Sequence, residues 1–228
     1  MHGNAVFGGG GAALAWAGVV AADPTAPALT WYDDATGERV ELSAATLDNW
    51  VAKTANLLVD GLGLGPGDTA TVAVPPHWQT AAVLLGCWTA GLSVGSDPSD
   101  VVFASAGVSS DAPDRFFLGL APMGLPARDL PDGWVDYVVE VRGHGDRYAG
   151  PPSSAGTDEV ARAVARAGSL GLAGGRVLVD AAAYPDPVDW LLAPIVMGGS
   201  IVLCANLDRE RLDARVDAEK VDVVLAPP

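Results

Sequence analysis

Residues 62–74 read LGLGPGDTATVAV, and residues 170–182 read LGLAGGRVLVDAA. In both, a glycine turn feeds an apolar, partly β-branched run, the pattern of a buried strand. A helical pattern follows each run and ends at a glycine, Gly91 in the first copy and Gly199 in the second. A further strand pattern comes next, SVGSDPSD in one copy and IVLCANLD in the other. The offset stays constant, at 170 − 62 = 108 and 199 − 91 = 108. A gapless match across strand, helix and strand predicts two related halves. Strand–helix–strand order implies parallel pairing with right-handed crossovers. The expected fold class is therefore α/β, with mostly parallel sheets flanked by helices in two pseudo-repeated halves. A Pro/Gly/Ser stretch near 149–156 separates them, which sets the halves at 1–148 and 149–228, or one compact domain containing both.

The rest of the chain fits this frame. PALTWYDD and ERVELS read as strands around the turn DATG, followed by a helix over SAATLDNWVAKTANLLVDGLG with Ser43 as its N-cap. VVFASAG and WVDYVVEVRG are further strand candidates. After GPPSSAG come a helix TDEVARAVARAG, a strand RVLVDAA, a helix DPVDWLLAPIVMGG and a strand SIVLCAN. DRERLDARVDAEK is a charged helix with a narrow Leu212/Val216 seam, and VDVVLAPP reads as a strand. Trp78, Trp88 and Trp190 lie in apolar helical patterns and are expected in the core or at an interface rather than in a ligand box. The segment GAALAWAGVVAA lacks the positive start of a signal peptide, because the first basic residue is Arg39. A flexible start followed by a short packed helix is expected there, and a cytoplasmic location with it.

Composition narrows the function. The chain has 228 residues, half of them hydrophobic, and 13 basic against 28 acidic residues give a formal charge of −15. That balance argues against nucleic acid and against anionic membrane surfaces, both of which require a cationic patch. Lysine occurs only at Lys53 and Lys220, within an Ala/Gly/Val-rich composition typical of GC-rich bacterial coding sequences. Cys87 and Cys204 stand far apart in apolar patterns and read as buried, reduced thiols.

The order of marks from PALTWYDD through ANLL, GPGD, a strand ending in prolines, an apolar helix ending AG, and DP resembles the opening of the AMP-binding, adenylate-forming superfamily. That superfamily includes acyl-CoA synthetases, luciferases and nonribosomal-peptide adenylation domains. GGRVL and VDVVLAPP are similar to marks of its second half. A short, truncated bacterial member of the superfamily's N-terminal domain is the expectation. These marks belong to the scaffold and imply a fold more than an activity.

The departures concern chemistry. Superfamily members carry a Thr/Ser/Gly-rich phosphate loop ending in Pro-Lys-Gly between the halves. Here GPPSSAGTDEVARA holds that position. Ser153, Ser154, Gly156 and Thr157 are the candidate ligand-binding residues, through hydroxyls and backbone N–H groups. No lysine follows, the nearest cation is Arg162, and Asp158 and Glu159 stand where phosphate charge would lie. Acids in a first helical turn complement the dipole and fill the place of an anion, so a linker with a helix cap is the preferred reading. The superfamily's aromatic-His pair has a counterpart only in Tyr184, within AAAYPDPVDW. The adenine- and ribose-binding segments and the catalytic lysine of these enzymes would come after APP.

His77, at a strand-to-helix turn, is a further ligand candidate whose default reading is a cap or an exposed side chain. His144 and Asp146 offer two metal ligands without a third, and read as a polar loop. No G-x-S-x-G elbow surrounds Ser153 or Ser154. The expectation is a non-catalytic protein with a binding or regulatory role, with no catalytic residue and no metal. No cofactor is expected, and ATP, AMP or CoA is disfavoured. A protein–protein module, as a homodimer or with a partner protein, and one half of a split enzyme are the alternatives.

Overall fold

The computed structural model describes residues 10–96 and 98–227. Residues 1–9, on which the expected flexible start falls, and Asp97 of the DP mark lie outside the described residues. The chain divides into two units, residues 1–47 with 157–228 and residues 48–156. The chain crosses between the units after Leu47 and again after Gly156. The hairpin that opens the chain groups with the second half rather than with the first.

Helix α1 (Ala12–Ala22) precedes strands β1 (Pro27–Asp33) and β2 (Glu38–Ser43), which pair antiparallel around the expected turn. Helix α2 (Ala44–Asn56) continues into a π-turn, Leu57–Gly61. Its start is fixed by Ser43, whose Oγ accepts from the Thr46 N–H at 3.1 Å.

The 48–156 unit is built on β3 (Thr69–Ala73), α3 (Trp78–Ala90), β4 (Ser93–Gly95), β5 (Val101–Ala104), β6 (Asp114–Phe117) and β7 (Val135–Asp136). Its sheet runs β4-β3-β5-β6-β7, and every pair is parallel. On one face Ala70, Val101, Phe103 and Phe116 pack with Val83 and Cys87 of α3 and with Leu58. Helix α3 is buried on all sides, so it has no polar stripe. Gly91 ends it in the left-handed region, φ 95°. Gly86 brings α2 and α3 together, because a Cβ there would stand 2.5 Å from Thr54 Cβ. The Thr54 hydroxyl in turn donates to Trp50 O and meets the buried Tyr137 hydroxyl at 2.8 Å.

One expectation fails in this unit. WVDYVVEVRG forms only the two-residue β7 and then helix α4 (Tyr137–Val141). The Asp136 carboxylate accepts from the Val138 and Val139 N–H groups, which starts a helix where β-branched residues alone suggested a strand. Strand β6, DRFF, was not among the expected strands.

The other unit adds α5 (Thr157–Ser169), β8 (Arg176–Asp180), a π-turn Val188–Leu192, α6 (Ala193–Val196), β9 (Ser200–Ala205), α7 (Leu212–Glu219) and β10 (Val223–Leu225). Pro194 has no N–H to give the helical ladder, which is interrupted beside it. The sheet runs β10-β8-β9-β1-β2 and is parallel except at the β1–β2 hairpin. The crossovers β8–β9 and β9–β10 move in opposite directions across the sheet. Right-handedness then puts α6 on one face and α7 on the other. Helix α1 packs with α5 and α6, and Leu212 and Val216 of α7 cover Leu178, Val202 and Cys204.

The repeat is visible in the pairing. Thr69↔Ser93, Ala70↔Val94 and Thr71↔Gly95 become Val177↔Ile201, Leu178↔Val202 and Val179↔Leu203 when 108 is added to each number. The register between the strands is thus the same in both copies.

Candidate functional site

Helix α5 runs into β8, so its N-terminus lies at the C-terminal edge of that sheet, where α/β folds place ligands. The candidate phosphate loop leads into this helix. Ser153 Oγ accepts from the Ala155 N–H at 3.0 Å, so the loop closes on its own backbone. Gly156 turns with φ 75°, and neither Ser154 nor Thr157 is without a partner. Thr157 opens the helix, with Asp158 and Glu159 in its first turn. The nearest cations point elsewhere. Arg162 donates to Asp186 at 3.1 Å, and Arg166 holds Asp189 through two bonds of 2.6 and 2.8 Å.

The same edge carries two ion pairs of the protein's own. Asp34 at the end of β1 takes two hydrogen bonds from Arg215 of α7, and both side chains are buried, 5% and 7% exposed. Arg215 also lies 4.2 Å from the Tyr32 ring centroid. Its guanidinium holds the Asp34 carboxyl below the usual carboxylate range. Asp180, at the end of β8, is met by Arg209 at 3.4 Å. Beside the pair, burial pushes the Cys204 thiol up to about 11, which leaves it protonated and unreactive at neutral pH. Sequence reading missed Arg215. It stands three residues after Leu212 and directly before Val216, beside the narrow seam of α7, and is only 8% exposed.

In the other unit His77 is 2% exposed and caps α3, its Nδ1 accepting from the Gln79 N–H at 3.1 Å. The cap expected at this turn is present, and the exposed alternative is not. Gln79 is fully buried, and neither atom of its amide has a hydrogen-bond partner among the described residues. The loop with His144 and Asp146 is a staple. Lys53 donates to His144 O and pairs with Asp146, while Asn56 donates to Gly145 O and Arg147 O. Among the described residues no cluster of His, Cys, Asp or Glu is arranged to hold a metal.

The opposite edge of the β10-β8-β9-β1-β2 sheet is open. A cleft of about 600 Å³ lies there, between the C-terminal ends of α1 and α7. Its floor carries a charged network that sequence reading did not find. Glu219 accepts from Tyr32, Arg39 and Arg176, while Arg176 also donates to Thr30 and Ser200. Burial alone would raise the Glu219 carboxyl, but the hydrogen bonds from Tyr32, Arg176 and Arg39 hold it down at about 2.

Comparison with known proteins agrees with this architecture. No protein-family model matches the sequence. The chain is 44% identical over 227 residues to a "TIGR03089 family protein" of Mycobacterium tuberculosis, covering 90% of this chain and 93% of that one. Its fold matches an acyl-CoA synthetase of Brucella canis with a TM-score of 0.67 at 17% identity, over 92% of this chain and 46% of that one. It also matches the inhibitor-bound N-terminal domain of FACL13 from Mycobacterium tuberculosis, with a TM-score of 0.66 at 12% identity. That match covers 94% of this chain and 62% of the other. The chain thus has the fold of acyl-CoA synthetase N-terminal domains and spans about half to three-fifths of the solved chains. No helix among the described residues is long and apolar enough to cross a membrane.

Proposed function

The chain belongs to the TIGR03089 family, and from that premise we propose that it is a non-catalytic binding protein on an acyl-CoA synthetase-like scaffold. The observation that carries this reading is the start of α5. A triphosphate needs unpaired backbone N–H groups and net positive potential at that position. Here the first turn carries Asp158 and Glu159, and Arg162 and Arg166 are committed to Asp186 and Asp189. An adenylation transition state also needs a cation near the reacting phosphate. The buried Asp34–Arg215 pair at the same edge is internally neutral and offers no charge to a ligand.

Thermal unfolding of the full chain with ATP–Mg²⁺, AMP and CoA, alongside an ATP–pyrophosphate exchange assay supplied with a panel of carboxylic acids of different acyl chain length, tests the reading. A bound ligand at 100 times its dissociation constant would add ~2.7 kcal/mol. For a chain of this size that is about 5 to 11 °C. No shift and no exchange are expected. A shift with ATP that disappears in the S153A/S154A/T157A variant would overturn the reading.

A further inference from the structure

We infer that the cleft at the N-terminal edge of the β10-β8-β9-β1-β2 sheet binds a small organic zwitterion, with its two charged ends held from opposite faces of the sheet. This extends the binding-protein reading by naming a site and a ligand class, and it fails separately from that reading.

The volume, about 600 Å³, falls within the ~300–1,000 Å³ of small-molecule sites. Much of the wall is small and apolar, with Val19 and Ala22 of α1, Ala28 of β1, Ala44 and Ala218. Gly175, Gly198 and Gly199 keep another wall low. No side chain could be added at Gly199, where a Cβ would lie 2.6 Å from Gly175 O.

The charged lining is balanced. Arg39, Arg176 and Lys220 face Asp23, Glu41 and Glu219, in a chain that is otherwise strongly acidic. Most of these groups satisfy each other. Arg39 commits Nε and Nη2 to Tyr32, Glu41 and Glu219, and Arg176 is used by Thr30, Ser200 and Glu219. Two groups of opposite sign, Asp23 and Lys220, form no ion pair with the described residues, whereas Arg39, Arg176, Glu41 and Glu219 all do.

The first is on the α1 side. Asp23 caps the C-terminus of α1 and uses one oxygen, Oδ1, for Thr25 and Ala26. Its Oδ2 accepts no hydrogen bond from the described residues, and the negative end of the α1 dipole reinforces it. The second is on the α7 side. Lys220 ends α7 in the left-handed region, φ 53°, and its ammonium has no partner among the described residues. Because α1 and α7 lie on opposite faces, these groups meet the cleft from its two sides. A purely anionic ligand would leave Asp23 unanswered, and a purely cationic one would leave Lys220 unanswered. A zwitterion with separated charges and a short apolar spacer answers both and lies against the alanine wall.

The probe is 5-aminopentanoate, with pentylamine and pentanoate as single-charge controls, titrated calorimetrically into the full chain. The zwitterion is expected to bind about two- to fivefold more tightly than either control, the gain that one solvent-exposed ion pair supports. K220M should reduce it to the affinity of pentylamine, and D23N to that of pentanoate. D23N retains the Oδ1 acceptor for Thr25 and Ala26, and Lys220 is exposed, so neither change removes a core contact. Equal affinity for the zwitterion and one control, indifference to both substitutions, or no saturable binding would overturn the inference. None of those results would bear on the ATP measurement above.

Discussion

The two edges of the β10-β8-β9-β1-β2 sheet use their charges differently. At the C-terminal edge, Asp34 and Arg215 form a closed pair, both almost wholly buried, with Arg215 resting on the Tyr32 ring. At the N-terminal edge, Glu219 serves Tyr32, Arg39 and Arg176 around an open cleft, and Arg39 remains 44% exposed. The same aromatic residue, Tyr32, touches both clusters, with its ring at one and its hydroxyl at the other. The difference teaches where to look for a ligand. An α/β fold offers the C-terminal edge by default, and here that edge carries the Asp34–Arg215 and Arg209–Asp180 pairs. A cleft of about 600 Å³ lies at the other end.

The closed edge should be the harder one to disturb without damage. R215A leaves the Asp34 carboxylate buried and unpaired, which costs ~3–5 kcal/mol. At ~2–4 °C per kcal/mol, that is a fall in Tm of about 6 to 20 °C. Buried pairs cost desolvation on both sides, so removing both charges should restore most of the loss. The suitable double variant is D34N/R215M, because the side-chain amide it places at position 34 still offers an acceptor to the Asp208 N–H that Asp34 now serves. A double variant as unstable as R215A would mean that Arg215 acts through packing rather than through its pair.

The open edge should respond to acid. Glu219 has a folded value of about 2 against an ordinary 4.5. Its contribution is fully present above the unfolded value and is lost as pH falls through the folded one. Stability should therefore decline between about pH 4.5 and 2, and E219Q should lack this part of the decline. The Tm difference between wild type and E219Q is expected to be largest near neutral pH and to narrow in that window. A difference that stays constant down to about pH 3 would assign the effect of E219Q to hydrogen-bond geometry alone. Asp34 is depressed as well, by Arg215, so some acid sensitivity remains in E219Q.

The strand scaffold was legible because it rests on backbone pattern. The offset of 108 read from two glycine turns carries one set of strand pairs onto the other. Local signals also survived, as with Ser43, Gly91 and the acids after Thr157, since each acts on neighbouring N–H or C=O groups. What was not legible depends on distant contacts. Strand β6 is four residues long, and its Asp and Arg hide the alternation. WVDYVVEVRG has strand composition, but one carboxylate, Asp136, overrides it. Glu219, Arg176 and Arg39 are far apart in sequence and meet only through the order of strands in the sheet. Arg215 sits among acids and reads as a solvated face unless Asp34 is known to lie beneath it.

The smallest effect separates the two readings of the α5 start. If Asp158 and Glu159 only compensate the helix dipole, D158N and E159Q should each cost ~0.3–1 kcal/mol, or about 1 to 4 °C. If they instead mask a competent anion site, the D158N/E159Q double variant should gain affinity for ATP–Mg²⁺ that the wild type lacks. The first outcome is expected. Removing two acids does not supply a cation, because Arg162 and Arg166 stay bound to Asp186 and Asp189 on the turn after β8. Those arginines lie past the first turn of α5, and swinging them toward its N-terminus would break pairs that already satisfy them. Gain of ATP binding in the double variant would show that the C-terminal edge is masked rather than filled, and the contrast between the two edges would weaken accordingly.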